Sequence, residues 1–159
     1  MKLEYPLFTR RALFGAALVG AALPRLAFGQ TATNPVTGQG VTNLKIRIAF
    51  GGNDFTATLY DNPSSRDFAS MLPLDLTIDD YASNEKIAYL PRKLTEEGSG
   101  PFANEAAGDL CYFAPWGNLA FFYDGYRYSR GLLRLGRLDG GVEPLLTKGK
   151  FPLRIERLA

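Results

Sequence analysis

GDLCYFAPWGNLAFFYDGYRY, running from Gly108 to Tyr128, holds eight of the chain's twenty aromatic residues. Pro115-Trp116-Gly117-Asn118 divides it into two arms, because Pro and Gly interrupt regular structure and Asn tolerates turn geometry. In the first arm Leu110, Tyr112 and Ala114 alternate with Cys111 and Phe113. In the second, Leu119, Phe121 and Tyr123 alternate with Ala120 and Phe122. Both faces of both arms are mostly apolar, which a half-exposed antiparallel sheet does not tolerate. Such strands need cover on two sides, as in a barrel or sandwich with elements packed outside it. The aromatics read either as plain core or, in part, as the lining of a ligand pocket, since pockets are mostly apolar with a few polar groups.

Upstream, Leu44–Phe50 alternates as a strand, and Gly51-Gly52-Asn53-Asp54 signals a tight hairpin returning through Phe55–Tyr60. Asn62 can cap a helix, Pro63 suits its first turn and Pro73 ends it. Phe68, Met71 and Leu72 make one apolar stripe on that short helix, which reads as a plug on the end of the barrel. Leu74–Ile78 and Lys86–Leu90 read as the third and fourth strands, with residues 79–84 as polar loop between them. Thr95–Ala107 lacks periodicity and is either a functional or a mobile loop. Downstream, Leu132–Leu138 alternates, Val142–Leu146 is a strand or one helical turn, and Pro152–Leu158 is a final strand able to pair with Leu44–Phe50. The chain is therefore mainly β. About eight strands with one or two short helices suggest a closed antiparallel barrel.

The 159 residues allow one domain. Arg10-Arg11, the apolar run Ala12–Leu23 and the small residues Ala27 and Gly29 have the layout of a signal peptide over residues 1–29. The paired arginines, with Leu13-Phe14 behind them, resemble the twin-arginine export signal, so the protein is expected in the periplasm or otherwise exported. A retained N-terminal anchor is the alternative. Residues 30–43 form a flexible spacer, and 44–159 the folded domain. Losing Lys2, Arg10, Arg11, Arg25 and Glu4 with the leader turns the formal charge from +2 to −1. Nothing in the remainder asks for nucleic acid or an anionic membrane.

The chain has no histidine and one cysteine. That excludes a Ser-His-Asp or Cys-His arrangement, a His-based zinc site and an intramolecular disulfide. Cys111, mid-strand among apolar residues, reads as an inert buried thiol. Asp79-Asp80 and Glu96-Glu97 lack calcium-loop spacing and read as solvated loop, so no metal and no cofactor is called for. Tyr126, Tyr128 and Arg130 read as surface packing or a polar-aromatic rim. Asn118 either works at a pocket mouth or closes a turn.

Ala57–Pro63, Arg66-Asp67-Phe68, Tyr89-Leu90-Pro91-Arg92, Gly108-Asp109-Leu110 and the run Ala114–Ala120 resemble bacterial cyclophilin-like proteins of unassigned function. The resemblance extends through Phe121-Phe122-Tyr123, Tyr128–Leu132 and Leu135-Gly136-Arg137. It covers nearly all of residues 44–158, and it implies an eight-stranded cyclophilin-type barrel capped by helices. Against true cyclophilins, Arg92 stands near the catalytic arginine. Prolyl isomerisation removes amide resonance against a barrier of about 18–20 kcal/mol. The resemblance implies that Arg92 donates to the twisted amide while Phe113, Phe121 and Trp116 hold the proline. The Gln-Gly-Gly-Asp segment and pocket histidine usual in true cyclophilins are missing here. The leading expectation is thus an exported barrel binding a small molecule or proline-containing peptide in a cleft. Arg92, Phe113, Trp116, Asn118 and Phe121 would frame it, with Tyr89 beside them. The runner-up is a prolyl isomerase using Arg92.

Overall fold

Gly51 and Gly52 turn the chain at φ of +55° and +81°, a conformation that glycine adopts without steric cost. They join β1 (Val41–Phe50) to β2 (Asn53–Tyr60). The computed structural model describes residues 41–159, with side chains from Leu44 onward. The expected leader and residues 30–40 of the expected spacer lie outside the described residues. β1 starts three residues before the expected Leu44.

α1 (Pro63–Ser70) follows, and the Asn62 side chain accepts from the Ser65 amide at 2.8 Å, relieving one orphan donor of the first turn. Phe68 and Ala69 carry the helix into the core, so α1 plugs one mouth of the barrel. The remaining strands are β3 (Leu74–Tyr81), β4 (Glu85–Tyr89), β5 (Asp109–Phe113), β6 (Asn118–Phe122), β7 (Leu132–Leu138) and β8 (Phe151–Arg157). Glu143–Leu146 forms a short 3-10 turn whose Leu145 is buried in the core.

The strands close in the order β1-β2-β7-β5-β6-β4-β3-β8, every neighbour antiparallel. β8 lies between β1 and β3, with Ile48 opposite Ile155 and Leu74 opposite the same Ile155. The expected pairing of the first and last strands is present. Among the described residues no helix is long and apolar enough to cross a membrane.

Two apolar clusters result. Leu110, Tyr112, Ala114, Leu119, Phe121 and Tyr123 face the barrel interior with Ile46, Ile48, Leu59, Leu135 and Ile155. Cys111, Ala120, Phe122 and Leu132 form a second cluster outside, against Phe102, Phe113, Tyr126 and Tyr128. The predicted alternation of the aromatic stretch is therefore real, and each face has its own cover.

One stretch departs from expectation. Asp79, Asp80 and Tyr81 extend β3 rather than forming loop. Asp80 points inward, where its carboxylate meets the fully buried Lys86 ammonium at 2.7 Å. An ion pair inside the barrel makes a polar residue strand-compatible. The Thr95–Ala107 segment is held on the outer surface: Arg134 donates to the Ala103 and Asn104 carbonyls and lies 4.2 Å over the Phe102 ring.

Candidate functional site

The outer face of the β5-β6-β4-β3 half of the barrel carries the site. Strand alternation sends Glu85 and Ile87 of β4, Asn118, Ala120 and Phe122 of β6, Phe113 of β5 and Tyr81 of β3 to that face. Trp116, on the turn between β5 and β6, packs edge-on against Phe113 at 5.5 Å and against Tyr81 at 5.3 Å. Those partners stand on strands separated by β6 and β4. The indole therefore spans the two strands between them, and 48% of it stays exposed. The turn that places it needs Gly117 at φ +75°. Tyr126 stacks on Phe122 at 3.7 Å and closes the other side.

These residues enclose a cleft of about 390 Å³, within the size range of small-ligand sites. Its wall is mostly aromatic and aliphatic, and two polar groups in it have unusual surroundings. Asn118 is 2% exposed; its Nδ2 donates to the Leu119 carbonyl at 3.0 Å, while its Oδ1 is buried and accepts from nothing. The bond to the carbonyl fixes the amide orientation, since the flipped amide would set two oxygens against each other. Buried acceptors without a donor cost about 1–3 kcal/mol, which sets this oxygen apart from the apolar wall around it. The second group is Glu85. Burial pushes its carboxyl up to about 7, and among the described residues no cation or donor stands against it.

Behind the cleft, Asp109 is fully buried and accepts from the Tyr126 hydroxyl at 2.7 Å; Arg134 lies 3.1 Å and Arg137 3.4 Å from its carboxylate. This network fixes Tyr126, hence the cleft's far wall. Burial drives the Cys111 thiol upward, keeping it a protonated, inert packing group.

Of the residues expected to frame a cleft, the structure brings together Phe113, Trp116 and Asn118. Phe121 is not with them. It is fully buried inside the barrel, because the register that sets Tyr112 opposite Leu119 gives Phe121 the interior face. Tyr89 stands opposite Asn118 on the outer face but is 57% exposed and lies outside the cleft lining.

Arg92 lies apart as well. It follows β4 at the α1 end, where its Nη2 meets the Asp67 carboxylate at 2.6 Å and its Nη1 also donates to the Lys93 carbonyl. The side-chain bond to Arg92, with the Thr95 amide, holds the Asp67 carboxyl below its ordinary range despite partial burial. Arg92 thus fastens the post-β4 segment to the helix.

Glu85 escaped the sequence reading, which began its strand one residue later. Its i, i+2 spacing to Ile87 was the available signal. A second groove of about 560 Å³, lined by Lys93, Glu96, Arg130 and neighbouring loop residues, is more polar and holds no buried unpartnered group.

Known proteins agree with the barrel. The solution structure of a hypothetical protein from Archaeoglobus fulgidus is similar, with a TM-score of 0.50 at 16% identity over 72% of this chain and 95% of that one. At that identity the likeness speaks for the fold alone. A search of curated proteins returned no match. The cyclophilin-like family matches residues 48–156, from the last three residues of β1 to the next-to-last residue of β8. By that match, which takes in every strand of the closed barrel, the chain belongs to the cyclophilin-like family.

Proposed function

We propose that this domain is a binding module that takes a small molecule, or a side chain of a peptide, in the cleft roofed by Trp116. The observation that carries the reading is the Asn118 carbonyl oxygen, a buried acceptor with no donor in an otherwise apolar wall. Buried polar groups are nearly always hydrogen-bonded, and a ligand donor arriving from the cleft would satisfy this one. Trp116 is the chain's one tryptophan, so its emission reports on the cleft alone. A fragment screen read by selective excitation of Trp116 is expected to return ligands that shift its emission and raise the Tm. A library of cations, anions and neutrals in which no compound shifts it would sink the binding reading.

The isomerase reading has less support, because Arg92 does not line the cleft with Phe113 and Trp116 and is ion-paired to Asp67. The twin-arginine resemblance adds a compartment to the proposal: the domain works after export. Cell fractionation of the full chain against an Arg10→Lys, Arg11→Lys variant tests this, and an unchanged distribution refutes it.

A further inference from the structure

The cleft has two polar ends. Glu85 pairs with Phe122 and Tyr89 with Asn118 in the β4–β6 ladder, so Glu85 and Asn118 sit four strand positions apart, about 13 Å along the backbone. Between them lie Ile87 and Ala120 below and the Trp116 ring above. One small headgroup does not reach both ends. An elongated ligand does.

The two ends ask for different chemistry. At the Asn118 end the open valence is a neutral acceptor, which wants an N–H or O–H. At the Glu85 end stands a half-buried carboxylate with no partner, bordered by Tyr81 across the β3 pairing, by Phe122 across the β6 pairing, and by Asn84 and Tyr126. A carboxylate among aromatic rings is a seat for an organic cation, since ring faces attract positive charge and the carboxylate accepts its N–H donors.

The other charged groups near that end divide consistently. Asp79 is on the same outer face, two residues from Tyr81, and adds negative potential. Arg127 lines the cleft and is the one basic residue there. Its charge falls on Glu105, whose carboxyl is held low first by the Tyr128 amide and also by Arg127 and Arg134. Glu85 receives no such relief; burial alone governs its proton. Among the described residues, no cation completes Glu85.

Resting on the reading of the cleft as a binding site, we infer that its ligand is an amphipathic amine. A protonated amino group would sit against Glu85, an apolar or aromatic body under Trp116, and a hydroxyl or amide donor at Asn118 Oδ1. The Asn118 oxygen has almost no accessible surface, so its donor enters as the half-exposed Trp116 gives way. Ligand binding and Trp116 movement are then one event.

Four probes separate the ends: tyramine, which has both headgroups; phenethylamine, which lacks the hydroxyl; tyrosol, in which a hydroxyl replaces the ammonium; and desaminotyrosine, in which a carboxylate replaces it. Titrations of the full chain, read by Trp116 emission and by calorimetry, are expected to rank tyramine first. Tyrosol and phenethylamine should each bind about tenfold weaker, and desaminotyrosine weakest. Glu85→Gln should bring tyramine to the level of tyrosol without touching tyrosol itself. The ranking on the unmodified protein needs no variant, so a misfolded mutant leaves the test intact. Tyrosol or desaminotyrosine binding as tightly as tyramine overturns the amine assignment while leaving a binding cleft. The amine assignment also fails if all four probes are silent while other screened compounds move Trp116. Silence from every compound removes the binding reading itself.

Discussion

Glu85 and Lys86 are neighbours on β4 that face opposite ways, and the fold treats their charges differently. Lys86 goes inward and is wholly buried. Its ammonium meets Asp80 at 2.7 Å and the Gly149 carbonyl at 3.3 Å, with the Phe50 and Phe151 rings 5.6 and 5.8 Å away. Asp80 in turn accepts from the Gly149 amide at 2.7 Å. Burial works against the Asp80 carboxylate, yet the Lys86 bond, the Gly149 amide and the Lys86 and Lys148 charges together hold its carboxyl below the ordinary range. Glu85 goes outward, is less buried, and has none of this. The deeper charge is the satisfied one. The inward charge arrives with its partners built in, whereas Glu85 has no such partner among the described residues.

The contrast is open to attack at both ends. The largest effect is expected from Lys86→Met, which removes the inward cation and leaves Asp80 with the Gly149 amide and the exposed Lys148 ammonium at 3.9 Å. Urea unfolding should show a loss of about 3 kcal/mol. A loss within error would mean that the inward charge is not structural. Glu85→Gln should do the opposite, to a smaller extent. The folded-state pKa of Glu85 is raised from 4.5 to about 7, so the fold holds this proton more tightly than the unfolded chain does. Its favourable contribution is complete below the unfolded value and is lost as pH rises through about 7. The variant should therefore match the parent at acid pH and exceed it above neutrality, by about 1 kcal/mol after allowance for partial exposure. Parallel Tm–pH curves for the two proteins would contradict this. The smallest effect belongs to Arg92→Ala. Its exposed pair with Asp67 contributes little to stability, and the change should leave ligand-induced Trp116 emission untouched. A prolyl-peptide isomerisation assay on the same pair of proteins closes the question. Acceleration by the parent that vanishes in the variant would restore the isomerase assignment.

Strand alternation carried most of the architecture at sequence level. The two-faced apolar pattern of Leu110–Tyr123 demanded cover inside and outside, and the structure supplies both clusters. Asn62 and Pro63 marked the helix start, and the glycine pair marked the hairpin. What alternation does not carry is register. Knowing that Phe113 faces away from Tyr112, and Phe121 away from Phe122, does not say whether Phe113 and Phe121 share a face. The pairing of Tyr112 with Leu119 decides it, and that depends on how many residues the Pro115–Gly117 turn absorbs. Phe121 was thereby lost from the cleft. The Asp79–Tyr81 error has another source: a polar residue signals loop until its counter-ion is known, and Lys86 lies across the next turn. Arg92 illustrates the same limit, since its partner Asp67 is 25 residues away in sequence.

The seam between β1 and β8 has a consequence for how the chain acquires this structure. Arg47 and Glu156, 109 residues apart in sequence, are bonded across that seam. Until β8 is laid down, β1 and β3 each present a row of unsatisfied backbone donors and acceptors, a template for pairing with another molecule. The contacts that retire both rows are among the longest-range in the protein, and such contacts form slowly because so much chain must be ordered to bring them together. The vulnerable period of this protein is therefore its youth: a chain interrupted before Phe151 is an open, sticky sheet, and a chain that has passed Arg157 has no free edge left to offer.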